Sequence, residues 1–392
     1  MKGNFQRFGL VVLIGLTASC ALIGGARGGN TGQNQPQPAE PAVANAGEAK
    51  GETSVLPPRV GTSFRGSVGD AKVEMDIKRD GGALSGSYYY LKSGAANTLK
   101  LKGTVAADGS FTMQESDAAG KQTGEFKGKW KEDENNAGAV LEGEWRKPGQ
   151  TGDALGFYVF EQMIDFVTTQ ITTREFKESI KAKKAKLSAE YPELSGNANA
   201  EGFNVLAKAA VMRSLAGFRK DLAAFTAADI KSTDSELGNY IDIGYDVEYA
   251  DDDLVSISFG EDTFEGGAHP NQGTFTLTYD LKAGREVKLA DLFKPGAKYL
   301  AKLADYAIHD LQGRKDPDSG ENMGFATDIF EDGAKPTADN YRCWNVTKKG
   351  LLITFPPYQV SAYAYGTQTV IVPYSALRDI ARADGALAKV KR

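Results

Sequence analysis

Few side chains in this sequence can do chemistry, and their supply sets the first limits. The 392 residues include two histidines, His269 and His309, and two cysteines, Cys20 and Cys343. With Cys20 committed to another role, argued below, neither a three-histidine metal site nor a site of two histidines and two cysteines can be assembled from one copy. Glu261, Asp262, Glu265 and His269 lie close enough in sequence to hold one metal ion or to act as acid and base. That chemistry requires the groups to reach one another and the reacting atoms. The competing reading is a turn, in which Gly266 and Gly267 permit unusual backbone angles and Pro270 fixes the exit. A nucleophilic pair of Cys343 with His269 has no local signature, and Cys343 beside Trp344 reads as a small buried residue. His309 falls within a helical pattern, as a packed or capping side chain. No glycine-rich phosphate loop stands between a strand and a helix. No catalytic residue, metal ligand or cofactor is therefore assigned.

Binding is the chemistry these residues suit better. Tyr358, Tyr363 and Tyr365 offer rigid apolar faces with polar tips, which serve protein interfaces and sugar rings equally well. Strand alternation would turn some of them inward. The expectation is that the loop carrying Gly266, Gly267, His269, Pro270 and Asn271 joins this tyrosine segment in one partner-binding surface.

The start of the chain sets the expected compartment. Lys2 and Arg7 precede an apolar stretch from Phe8 to Leu16 that is too short to span a bilayer as a mature helix. Leu16-Thr17-Ala18-Ser19-Cys20 resembles the bacterial lipobox, in which the cysteine is acylated and becomes the new N-terminus. Acyl chains contribute ~0.8 kcal/mol per buried methylene, enough for a lasting membrane anchor when several sit on one cysteine. Cys343 would then be the only thiol, so no intrachain disulfide forms and packing alone must stabilise the fold. Ala21 after the cysteine resembles outer-membrane sorting in a diderm host. A net charge of −5 leaves no basic surplus for nucleic acid, and the lysines from Lys181 to Lys186 read as the solvated face of a helix.

A fold of α+β class is expected, a small antiparallel barrel or sandwich followed by a mixed domain. Residues 1–19 read as the signal peptide and 20–58 as a tether too poor in large apolar side chains to order itself. Residues 59–162 read as the small β domain. There, segments such as Val73-Glu74-Met75-Asp76-Ile77 and Leu141-Glu142-Gly143-Glu144-Trp145 alternate with period two, and Asp80-Gly81-Gly82 and Asp108-Gly109 signal hairpin turns. Gly128-Lys129-Trp130 and Gly143-Glu144-Trp145 fit either a ligand-facing aromatic surface or core aromatics beside glycines that relieve crowding. Residues 163–392 read as the second domain. Its expected helices carry Phe176, Ile180, Leu187 and Tyr191, then run over 202–225 and 298–311. Its strands are expected at 240–247, 254–259, 274–279, 351–355 and 369–372.

Three segments of the second domain are more specific than composition. Glu265-Gly266-Gly267-Ala268-His269-Pro270-Asn271, then Leu289-Ala290-Asp291-Leu292-Phe293, then Phe355-Pro356-Pro357-Tyr358-Gln359-Val360 running to Gly366 occur in that order. They resemble the C-terminal domain shared by RsiV-type lysozyme-sensing anti-sigma factors and PdaC-type peptidoglycan deacetylases. The resemblance implies an envelope-binding role, with lysozyme or peptidoglycan as partner. The lipoprotein-like start and the absence of a following deacetylase domain argue for action by occupancy. A peptidoglycan-modifying enzyme or a structural envelope module is the alternative.

Overall fold

A computed structural model describes residues 54–55, 62–132, 138–150, 152–226, 238–315, 320, 322, 323, 325 and 328–391. The signal segment, Cys20 and most of the expected tether lie outside the described residues. The short strand β1 (Ser54–Val55) pairs with a strand of the second sheet described below.

Period-two alternation builds the first sheet and closes it on itself. Strands β2 (Thr62–Val68), β3 (Ala71–Asp80), β4 (Ala83–Tyr90), β5 (Leu99–Val105), β6 (Ser110–Ser116), β7 (Gln122–Glu132), β8 (Ala139–Arg146) and β9 (Leu155–Gln162) form an antiparallel barrel, sealed where β9 meets β2. Phe64, Met75, Phe126, Leu141 and Val159 fill its interior. The Phe126 ring meets Tyr88 and Phe157 edge-on, with centroids at 5.5 and 5.1 Å, the geometry that aromatic quadrupoles favour. Of the two readings of the Gly-x-aromatic units, Gly143-Glu144-Trp145 takes the core one, because Trp145 is buried. A Cβ on Gly128 would lie 2.0 Å from the Glu142 carbonyl oxygen, so only glycine lets β7 and β8 approach this closely. Trp130 is half-buried at one barrel mouth.

The second unit is built on a seven-stranded sheet ordered β1-β10-β11-β12-β13-β14-β15. Its remaining members are β10 (Gln170–Ile180), β11 (Ala185–Ser195), β12 (Asn239–Ala250), β13 (Leu254–Phe264), β14 (Asn271–Asp280) and β15 (Arg285–Glu286). Helix α1 (Ala200–Ala224) separates the parallel neighbours β11 and β12 in sequence. Its buried stripe Phe203, Ala207, Val211, Leu215, Phe218 and Leu222 packs in one core with Ile241, Ile243, Ile257 and Phe259 of the sheet. A separate core joins the three-stranded sheet of β16 (Trp344–Val346), β17 (Gly350–Phe355) and β18 (Gln368–Pro373) to α2 (Tyr299–Gly313), α3 (Asp328–Gly333) and α4 (Tyr374–Leu377).

The helix expected through Phe176, Ile180, Leu187 and Tyr191 is instead the antiparallel hairpin of β10 and β11. A spacing of four is even, so it places Phe176 and Ile180 on one strand face as readily as on one helix face. Lys181–Lys183 form a 3-10 turn, and Lys184 closes the hairpin at φ 46°; the lysines from 181 to 186 therefore sit on a turn and strand end. His309 is exposed on α2 and neither packs in the core nor caps the helix.

The outward faces of β2, β3 and β4 are polar yet buried where the barrel meets the seven-stranded sheet. Arg65 ion-pairs with Glu190 of β11, donates to the Tyr245 carbonyl at 2.9 Å, and lies over the Tyr245 ring at 4.3 Å. Lys72 donates to the second Glu190 oxygen at 3.0 Å. Glu74 accepts from Tyr89, lies 3.7 Å from the Arg65 Nε, and accepts from Thr173 at 3.4 Å.

Candidate ligand-binding site

The β13–β14 hairpin delivers the first half of the site. Its turn needs two consecutive residues of positive φ, which Gly266 at 93° and Gly267 at 102° supply. His269 then leaves the turn with Nδ1 2.8 Å from the Pro270 carbonyl oxygen. Donation to that carbonyl places the proton on Nδ1 and leaves the Nε2 lone pair outward. The same carbonyl accepts the Tyr363 hydroxyl at 2.7 Å. The His269 and Tyr363 rings stack with centroids 3.8 Å apart and planes 20° from parallel.

The second half comes from the loop after β17. Gln359 N bonds back to the Pro356 carbonyl at 3.1 Å, and within that turn Tyr358 adopts φ 69°, a region that non-glycine residues avoid at a cost of order 1–3 kcal/mol. The turn is fastened to the end of α3, where Gln359 Nε2 donates to the Gly333 and Asn340 carbonyls at 3.0 and 2.9 Å. Held this way, Tyr358 is 54% exposed, its hydroxyl 3.4 Å from His269 Nε2 and its ring 5.4 Å from that of Tyr363.

Beside this aromatic stack stands Asp262, whose connection to it the sequence did not reveal. In β13 successive side chains face opposite sides, so Glu261 turns to α1, where Ser214 donates to it. Asp262 turns the other way, toward Tyr240, whose hydroxyl donates to Oδ2 at 3.3 Å. Its Oδ1 is buried without a hydrogen-bond partner among the described residues. Burial, with the neighbouring Asp242 carboxylate adding to it, pushes the Asp262 pKa up to about 6. The Tyr363 hydroxyl is also raised, by burial first and then by Asp262 and Tyr358. Glu265 is raised by burial and by Asp221 and Glu261 on the α1 side. The alternation thus divides the four candidate residues between two faces, and no group of three or more His, Cys, Asp or Glu among the described residues is placed to hold a metal.

The other candidates separate clearly. Tyr365 lies apart from the stack, near Phe325 with centroids 6.2 Å apart. Asn271 is exposed at the start of β14. Cys343 is buried, donates its thiol to the Thr274 carbonyl, and is pushed up to about 11 by burial, the reverse of an activated nucleophile.

Asp262 makes a pH prediction. A carboxyl raised in the fold disfavours the folded state wherever it is ionised, so the penalty is full above about pH 6 and disappears as pH falls toward the unfolded value near ~3.9. Asp262→Asn is expected to be more stable than the parent protein at pH 8, with the gap closing by about pH 4. Urea titrations of both proteins across this range check it; a gap independent of pH would contradict it.

Two segments of the chain match known protein families. Residues 178–272 match the family model described as deacetylase PdaC, and residues 290–375 match the model described as a protein of unknown function, DUF3298. The two matched segments together take up most of residues 178–375. A relative, peptidoglycan-N-acetylmuramic acid deacetylase PdaC of Bacillus subtilis (strain 168), is 27% identical over 152 residues. That match covers 39% of this chain and 31% of the relative, so the chain spans about a third of that protein's length. Among solved structures, a DUF3298 family member from Bacteroides fragilis aligns with a TM-score of 0.44 at 18% identity, over 57% of this chain and 98% of that one. Another from Pseudomonas aeruginosa PAO1 aligns with a TM-score of 0.36 at 16% identity, over 56% and 95%. The site straddles the two matched segments. Tyr240, Asp262 and His269 belong to the PdaC segment, and Tyr358 and Tyr363 to the DUF3298 segment.

Proposed function

We propose that this protein is a lipid-anchored cell-envelope binding protein whose PdaC–DUF3298 half recognises a cell-wall glycan by occupancy. The observation that carries the reading is Tyr358, held half-exposed at positive φ above the His269–Tyr363 stack. Flat rings with hydroxyl and imidazole tips match a sugar, whose apolar face stacks while its hydroxyls hydrogen-bond. The Tyr358 hydroxyl beside the His269 imidazole can donate to or accept from such hydroxyls. The similar Bacillus subtilis protein, a peptidoglycan-N-acetylmuramic acid deacetylase, supports a cell-wall ligand for the shared segment. Anchoring through Cys20 would keep the site at the envelope, on the outer membrane in a diderm host.

The test is titration calorimetry of the full chain with soluble peptidoglycan fragments, beside the Tyr358→Ala/Tyr363→Ala variant. Saturable binding to the parent, weakened at least about tenfold in the variant at unchanged melting temperature, is the expected result. Equal affinity of both proteins would refute the site. A parallel titration with C-type lysozyme separates the two partners implied by the family resemblance. Binding of lysozyme alone, lost in the same variant, would replace the glycan with a protein partner. Release of acetate from the fragments would replace occupancy with catalysis.

A further inference from the structure

The barrel has two unlike ends. At one end Glu115 is 2% exposed and accepts from Tyr88 and, at 2.7 Å, from Trp145 Nε1, so inward-facing polar groups satisfy one another and fill it. At the other end the inward rows of the strands finish in Thr62, Arg79, Trp130 and Glu161, with buried Ile77 below them. These residues, with Lys78 and Ala139, line an open groove of about 370 Å³, within the range of small-molecule sites, ~300–1,000 Å³.

The lining has a definite chemical character. Arg79 lies over the Trp130 ring at 5.6 Å and donates Nε to the Gly81 carbonyl at 3.3 Å, which fixes a guanidinium plane that still has donors to offer. Among the described residues neither Arg79 nor Lys78 has a carboxylate within ion-pair distance. Phe64 braces Trp130 edge-on, with centroids 5.4 Å apart and planes at 86°. Glu161, which accepts the Ala139 N–H at 2.9 Å, brings a carboxylate to the same rim. The Arg79 guanidinium calls for an anion, the indole calls for a ring, and a carboxylate beside them favours a ligand that also donates hydroxyls.

We infer that this barrel mouth is a second ligand site, distinct from the aromatic stack of the PdaC–DUF3298 half, and that it takes an acidic saccharide. Arg79 holds the anionic group, with the charge of Lys78 on the opposite face of β3 adding longer-range attraction, the Trp130–Ile77 side supports the sugar ring, and Glu161 and Thr62 accept from or donate to its hydroxyls. The anion can be a carboxylate or a phosphate; the groove chemistry is shared by both.

Tryptophan fluorescence titrations of the full chain test this with three probes: N-acetylmuramic acid, glucosamine 6-phosphate and neutral N-acetylglucosamine. At least one anionic probe is expected to quench saturably and to bind at least about tenfold tighter than the neutral sugar, in line with charge-assisted bonds. Which anion binds tighter identifies the source of the ligand. The signal should vanish in Trp130→Phe, and Lys78→Gln/Arg79→Gln, both exposed positions, should erase the preference for charge while leaving the melting temperature unchanged. Tyr358→Ala/Tyr363→Ala should leave these titrations untouched. No quenching by any probe, equal binding of the neutral sugar, or full binding by the Lys78/Arg79 variant would each overturn the assignment.

Discussion

Arg65→Ala is expected to lose about 3–5 kcal/mol of folding stability, the range for removing one partner of a buried ion pair. The guanidinium sits between the barrel and the seven-stranded sheet, paired with Glu190, 3.7 Å from Glu74 and bonded to the Tyr245 carbonyl. Its removal leaves Glu74 without a cation within ion-pair distance among the described residues and Glu190 with Lys72 alone. Burial already raises the Glu74 pKa despite Arg65, whereas at Glu190 burial is outweighed by Arg65 and Lys72, which hold the pKa below the ordinary value. Without Arg65 both carboxyls should shift upward. The loss therefore shrinks as falling pH protonates them. Urea denaturation of the parent and variant at pH 7 and pH 5 measures both effects. A loss below about 1 kcal/mol, the size of a surface pair, would show the interface to be wetter than its burial indicates.

Gly333→Ala should damage both stability and binding. A Cβ at this position would stand 1.6 Å from the Gln359 carbonyl oxygen and 2.5 Å from its carbon, so backbone must move. Overpacking of this kind costs about 1–3 kcal/mol, and the segment displaced is the turn that holds Tyr358 at φ 69°. The glycan affinity of the proposed site should fall at least about tenfold, because stacking depends on where Tyr358 is held. Thermal melting combined with calorimetry checks this. Gln359→Ala, which removes the bonds to Gly333 and Asn340 without adding volume, should weaken binding with less loss of stability. Full affinity in both variants would mean that Tyr358 is not positioned by α3.

Much of the fold was readable because the barrel repeats one simple rule. Val73, Met75 and Ile77 alternate with polar neighbours, and Gly81 and Gly109 take positive φ at the hairpin turns where Asp-Gly signals mark them. The β10–β11 hairpin reads as a helix in the sequence because Phe176 and Ile180 fit both periods. The site was half legible. His269, Tyr358 and Tyr363 stand out by type and by the segments that carry them, yet the Tyr358–His269 and Tyr363–Pro270 contacts span 89 and 93 residues, a separation that only topology determines. In the sequence Asp262 groups with Glu261 and Glu265; the β12–β13 register, which pairs it with Asp242, is what turns it toward Tyr240. Arg65 gave no signal at all, since an arginine on an alternating strand reads as solvent-facing until a second domain covers it.

The barrel closes β2 against β9 and leaves no free strand there, but the seven-stranded sheet ends on strands of two residues each, β1 and β15. Among the described residues, most of the eleven-residue β10 thus runs beyond its β1 partner, with main-chain donors and acceptors that a foreign strand could match. Along that stretch the sequence places Arg174, Glu175, Lys177 and Glu178, charges that an incoming strand would have to bury or answer one by one. Crowded against its neighbours, the molecule is thereby guarded against self-templated aggregation by its own unfinished border.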